Sequence, residues 1–190
     1  FQPLDTDNVE DFKIHSEYYE IDPETALRLN KAKASGKRII AVGTTSVRVL
    51  ESAAGACEAC GIQNPGGLEY SLLPKSGETS IYIYPGYKYK FVDAIITNFH
   101  LPKSSLLLLV SAFAGEENIK KAYKHAIEQK YREAGYLYCS IDYREEKADD
   151  NRTLYFVNIV EEEPVPVDAV IFEGNKSLST RQIQKELREG

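Results

Sequence analysis

The stretch from Phe91 to Gly115, FVDAIITNFHLPKSSLLLLVSAFAG, limits most strongly what this chain can fold into. It reads as a strand over Ala94–Thr97, a polar loop, and an apolar helix that starts at Ser104 or Ser105, runs to Ala114 and stops at Gly115. A second unit has the same grammar. Ile39-Ile40-Ala41-Val42 is a continuous apolar run of the kind found in parallel strands covered on both faces. Gly43-Thr44-Thr45-Ser46 makes the turn, and a helix follows to about Ala59 with Val47, Leu50, Ala53 and Ala54 on one face. Two strand–loop–helix units predict an α/β fold with a parallel or mixed sheet and flanking helices. They place chemistry at the carboxyl ends of the strands.

The rest of the chain fits around these units. His15–Ile21 is a short strand, and Asp22-Pro23 caps and opens a helix that ends at Gly36. Thr79–Tyr84 (TSIYIY) alternates as a strand, and a long helix spans Glu117 to Glu133. After Lys130 the character changes. Leu137–Tyr143 and Thr153–Val160 form a hairpin, Glu161–Pro166 is an acidic linker, Val167–Phe172 is a strand, and Ser179-Thr180-Arg181-Gln182 is a capping box opening a short helix. The tail is therefore a small α+β unit of hairpin, strand and helix. The expected division is 1–132 and 133–190.

Charge sharpens that division. Residues 131–190 carry 8 Lys and Arg against 13 Asp and Glu, and the remainder carries 15 against 16. The chain as a whole, at net −6, is not a basic nucleic-acid binder, although a near-neutral first part leaves room for local phosphate contacts. The chain has no Met, so Phe1 is read as the start of a fragment or processed product. The run Leu106–Val110 is too short to span a bilayer. Cys57 and Cys60 form a C-x-x-C without a second pair, and Cys139 is distant, so the cysteines are read as structural or incidental and no metal site is expected.

Three constellations can carry chemistry. Gly43, Thr44, Thr45 and Ser46 offer N–H groups and hydroxyls at a helix start, where a carboxylate or phosphate is favoured, and Arg48 can add a bidentate contact. In Thr97-Asn98-Phe99-His100-Leu101-Pro102, Asn98 and His100 lie just past a strand end, and His100 is a candidate acid, base or donor near neutral pH. His15 and Glu17, two apart on a strand, share a face and can form an acid–base pair or a plain surface contact. Each has an ordinary alternative: a capped helix, a satisfied loop histidine, a surface hydrogen bond. His125, on a helix face, is expected to be exposed.

Several motifs together resemble one family. They are Phe1-Gln2-Pro3, His15-Ser16-Glu17, Ala41–Arg48, Leu50-Glu51-Ser52, Ile83–Tyr87, Val92-Asp93-Ala94, Thr97–Pro102 and Leu109–Gly115. Their order and spacing across residues 1 to about 132 are similar to those of the S-adenosylmethionine:tRNA ribosyltransferase-isomerases of queuosine biosynthesis. The likeness covers the C-terminal third to half of such an enzyme. It implies transfer and isomerisation of the ribosyl group of S-adenosylmethionine onto 7-aminomethyl-7-deazaguanine in a tRNA anticodon loop, giving epoxyqueuosine, in the cytoplasm. The expected partners are S-adenosylmethionine and tRNA. His15, Glu17 and His100 become candidates for proton handling, and Gly43, Thr44, Thr45, Ser46, Arg48 and Asn98 for substrate binding. There are departures. Phe12 stands where the family usually has a further histidine, the family's F-F-S-Y-G-D-A-M is replaced from Glu133 onward, and the N-terminal portion with its inserted β-domain is missing. The isolated chain is therefore expected to be nearly inactive. The tail, from Tyr131 through Val170–Lys176, resembles polypeptide-transport-associated (POTRA) repeats, which implies an alternative: a periplasmic protein-binding module of an outer-membrane assembly factor.

Overall fold

The computed structural model describes residues 12–56, 69–149 and 152–166, with 171, 173–174, 176–179 and 181–182 in the tail. The extended segment at Phe1–Asp7, the Cys57/Cys60 pair, the strand over 167–172 (except Ile171, which is in no strand) and the helix beyond Gln182 lie outside the described residues. Within them the order is β1 (Glu17–Ile21), α1 (Pro23–Ala34), β2 (Ile40–Val42), α2 (Thr44–Ala53), β3 (Ala54–Ala56), β4 (Tyr70–Leu72), β5 (Lys75–Thr79), β6 (Ala94–Ile96), α3 (Ser105–Ala114), α4 (Glu116–Glu133), β7 (Ser140–Asp149) and β8 (Arg152–Val160). The fold is α/β, as expected, but among the described residues its strands form four separate pairs instead of one sheet. β2 and β6 pair in parallel, while β1–β5, β3–β4 and β7–β8 are antiparallel.

Local chemistry explains the element ends. Asp22 caps α1 by accepting the Thr25 N–H at 2.9 Å, with Pro23 at the first helical position. Ser104 caps α3 by accepting the Leu107 N–H at 3.3 Å. In the tail, Ser179 and Gln182 form the reciprocal bonds of a capping box, at 2.9 Å and 3.4 Å. α2 ends six residues earlier than the pattern predicts, because Ala54 is extended (ψ 114°) and Ala54–Ala56 pairs with Tyr70–Leu72. The strand expected over Thr79–Tyr84 is also absent: β5 ends at Thr79. Side chains take that segment's backbone groups instead. Thr79 Oγ1 accepts the Ile81 N–H at 3.1 Å, and Arg48 Nε donates to the Ile81 carbonyl at 3.3 Å. Ile83 alone of the expected strand's apolar residues is fully buried, at 2% exposure.

Among the described residues, two apolar clusters hold the core. One joins Tyr19, Ile21, Ala26, Ile39, Leu72 and Phe91; the other joins Ala41, Val47, Ile83, Val92, Leu109 and Val110. The second lies on one face of the β2–β6 pair. On the other face Ile40, Val42 and Ile96 are 49%, 67% and 59% exposed, so the expectation of cover on both faces holds for one face only among the described residues. α3 and α4 pack together, and the β7–β8 hairpin lies against α4, with Lys120 paired to Glu145 and Lys124 to Asp142 at 3.5 Å. An apolar cavity of about 480 Å³ lies there, walled by Leu107, Leu108, Ile119, Ile127, Ile141 and Val157 among others.

Glu51 is the buried polar centre of this arrangement, at 1% exposure. Its carboxylate accepts the N–H groups of Lys90, Phe91 and Val92 at 2.8, 3.0 and 2.9 Å and the Tyr87 hydroxyl at 3.1 Å. Buried donors left without an acceptor each cost about 1–3 kcal/mol. Glu51→Ala should therefore lose about 3–5 kcal/mol of stability in urea denaturation, with Glu51→Gln losing less because its carbonyl oxygen still accepts.

Candidate functional site

The site is set by the parallel register of β2 and β6. Val42 lies opposite Ile96, so the chain leaves both strands at the same level, and Gly43–Ser46 and Thr97–Leu101 emerge side by side. The Gly43 N–H donates to the Ile96 carbonyl at 2.8 Å and joins the two exits. Gly43 adopts φ 84°, ψ 149°, a region essentially restricted to glycine, and this bend starts α2 immediately after the strand. Among the described residues no side chain caps the α2 start, and Ser46 Oγ turns back to the Val42 carbonyl at 2.8 Å. The first N–H groups of α2 and the Thr44 and Thr45 side chains thus form an electropositive helix end. Asn98 on the neighbouring loop is exposed.

His100 is half-buried in that loop. Its Nε2 lies 3.2 Å from Thr97 Oγ1, and burial lowers the imidazole pKa from its ordinary value. The neutral ring is therefore favoured near pH 7, the form able to accept a proton. Tyr123 on α4 holds the His100 backbone at two points: its hydroxyl accepts the His100 N–H at 2.6 Å and donates to the His100 carbonyl at 2.7 Å. The pattern along α4 marks Tyr123 only as an apolar helix position; nothing in it signals this bond.

Arg48 differs from its expected part. It is 6% exposed, and its guanidinium donates to Glu17 Oε2 at 2.5 Å, to the His15 carbonyl at 3.4 Å and to the Ile81 carbonyl at 3.3 Å. A guanidinium so held would have to break these contacts to clamp an incoming anion. It ties Glu17 at the start of β1, and His15 just before that strand, to α2. His15 and Glu17 are themselves exposed, and His125 is exposed as expected. Among the described residues no group of three His, Cys, Asp or Glu side chains gathers as for a metal.

A helix start and a histidine loop side by side at parallel strand ends form the arrangement in which α/β proteins commonly hold small molecules. The family model for queuosine biosynthesis proteins matches residues 1–136, and the chain belongs to that family. It is similar to the S-adenosylmethionine:tRNA ribosyltransferase-isomerase of Natranaerobius thermophilus, at 51% identity over 132 residues, which is 70% of this chain and 35% of the relative. The enzyme of the same name from Vesicomyosocius okutanii is 52% identical over 136 residues, covering 72% and 36%. Among solved structures, an S-adenosylmethionine tRNA ribosyltransferase from Thermotoga maritima is 39% identical, with a TM-score of 0.47, covering 60% of this chain and 36% of that one. The chain spans about a third of the length of the curated relatives it matches. The family match runs past the Tyr131-Arg132 junction to residue 136, and the POTRA-type, periplasmic alternative has no support among these relatives.

Two outcomes check the site's geometry. Gly43→Ala has open space for its Cβ, so any loss is backbone strain, and urea denaturation should read about 1–3 kcal/mol. The lowered His100 pKa means that the unfolded chain takes up its proton first as pH falls. That contribution to stability is present above the ordinary value of 6.5 and is lost as pH drops through the folded value. Comparing denaturation of wild type and His100→Gln between pH 7.5 and 5.5 should show this loss in wild type only.

Proposed function

We propose that this chain is part of a cytoplasmic enzyme that transfers and isomerises the ribosyl group of S-adenosylmethionine onto 7-aminomethyl-7-deazaguanine in tRNA, yielding epoxyqueuosine. The names of the relatives support the donor and the tRNA acceptor. The observation that carries the reading is the Gly43–Ile96 hydrogen bond, because it brings the α2 start beside the loop bearing Asn98 and His100.

The chemistry assigns roles. The sulfonium of S-adenosylmethionine acidifies the adjacent ribose carbon, and a base in its unprotonated form must remove a proton there before adenine and methionine leave. His100, held toward its neutral form, suits that base. The α2 start, with Thr44, Thr45 and Ser46, suits the methionine carboxylate, and Asn98 a ribose hydroxyl. Arg48 acts in this reading by fastening His15 and Glu17 against α2, where they are further candidates for proton handling. The modified base must be extruded from the anticodon loop to reach such a site.

The uncovered face at Ile40, Val42 and Ile96 and the one-third span of the relatives support a site that needs further polypeptide for turnover. The isolated chain is thus expected to show no appreciable ribosyl transfer. In a full-length relative carrying the same residues, changing the histidine equivalent to His100 to Ala should lower kcat by about 10²–10⁴, the usual contribution of a general base. Full turnover by the isolated chain, or an unchanged kcat in that variant, would refute the assignment.

A further inference from the structure

We infer that Tyr123 is the positioning residue of the His100 loop: its phenol, fixed on α4, sets where the imidazole stands at the β2–β6 strand ends. The inference rests on His100 belonging to the site proposed above. The Thr97–Lys103 segment has no strand partner among the described residues, so its backbone must be held by side chains. Tyr123 does so at the histidine itself, accepting the N–H at 2.6 Å and donating to the carbonyl of the same residue at 2.7 Å. That two-way bond needs a group that is donor and acceptor at once on a rigid arm, which a hydroxyl on a ring supplies and phenylalanine does not.

The ring is held in turn. Phe99 meets it edge to face, with centroids 4.7 Å apart and planes at 84°. Tyr123 and Pro102 also form part of the wall of the apolar cavity between α3, α4 and the hairpin. The loop thus meets Tyr123 through the Phe99 ring as well as through the His100 backbone. With the main chain fixed, the imidazole is left its side-chain torsions, and the 3.2 Å approach of Nε2 to Thr97 Oγ1 limits these. On the same helix, Lys120 is engaged by Glu116, Glu117 and Glu145, and Lys124 by Glu128 and Asp142.

The test uses the full 190-residue chain. Tyr123→Phe keeps the ring, its packing on Phe99 and its share of the cavity wall, and removes only the hydroxyl. By NMR, amide exchange at His100 should then quicken by about tenfold or more while exchange in α4 and in α2 stays as in wild type. The His100 ring titration should move up toward the ordinary histidine value as the loop loosens. Phe99→Leu, which retains the phenol, should quicken His100 exchange less. Unchanged exchange and an unchanged ring titration in Tyr123→Phe would overturn the inference, as would equal loosening of α4, which marks a general loss of packing. A parallel titration with S-adenosylmethionine separates this from the functional reading. If the wild-type chain shows no ligand-induced shifts at Thr44–Ser46, that reading falls, whereas the Tyr123→Phe exchange result decides the positioning role by itself.

Discussion

Glu51 is the interaction on which the rest of the structure depends. It stands on the helix that follows β2, and it gathers the N–H groups of Lys90, Phe91 and Val92, which lead into β6. A buried carboxylate is tolerated only when its lone pairs are filled, and here three amides and the Tyr87 hydroxyl fill them. The neighbouring phenols register the environment: burial, followed by the Glu51 charge, pushes the ionisation of Tyr87 and Tyr89 above the usual tyrosine range. The effect is to fasten the second strand–loop–helix unit to the first.

From that fastening the site follows. Once α2 and the entry to β6 are tied, β2 and β6 lie in register, and their exits bring a helix start and a histidine loop together. Parallel strands direct both carboxyl ends the same way, so groups about fifty residues apart in the chain become neighbours. Side-chain-to-backbone clamps then finish what the short strands leave open. Asn30 brackets both polar groups of Leu72 at 2.8 and 2.9 Å, Lys33 holds the Phe91 carbonyl at 2.7 Å, and Tyr123 brackets His100. Two-stranded pairs provide few ladder bonds, and polar side chains take over the remaining backbone groups.

Much of this was legible in the residues. Asp22-Pro23 and Ser104 announce helix starts, Gly43 and Gly115 announce bends, and the apolar runs at Ile39–Val42 and Ala94–Ile96 announce strands. The loops at Gly43–Ser46 and Thr97–His100 could be named as candidates because each lies between a strand and a helix. What misled was alternation in TSIYIY, where the period of two marks a segment whose carbonyl at Ile81 is bonded by Arg48 rather than by a strand. The same contact removes Arg48 from the exposed role its place in the first turns of α2 suggests.

The sequence by itself determined the helix and strand propensities, the two strand–loop–helix units and the residue types at their junctions, because these depend on spacing and on groups a few positions apart. Membership in the queuosine biosynthesis family was legible for the same reason, through short motifs in order. Only the tertiary structure decided that Arg48 pairs with Glu17, that Glu51 collects three distant amides and that Tyr123 holds His100. Those bonds span 23 to 41 residues of chain, and they form only where folding has brought the partners together and fixed their directions.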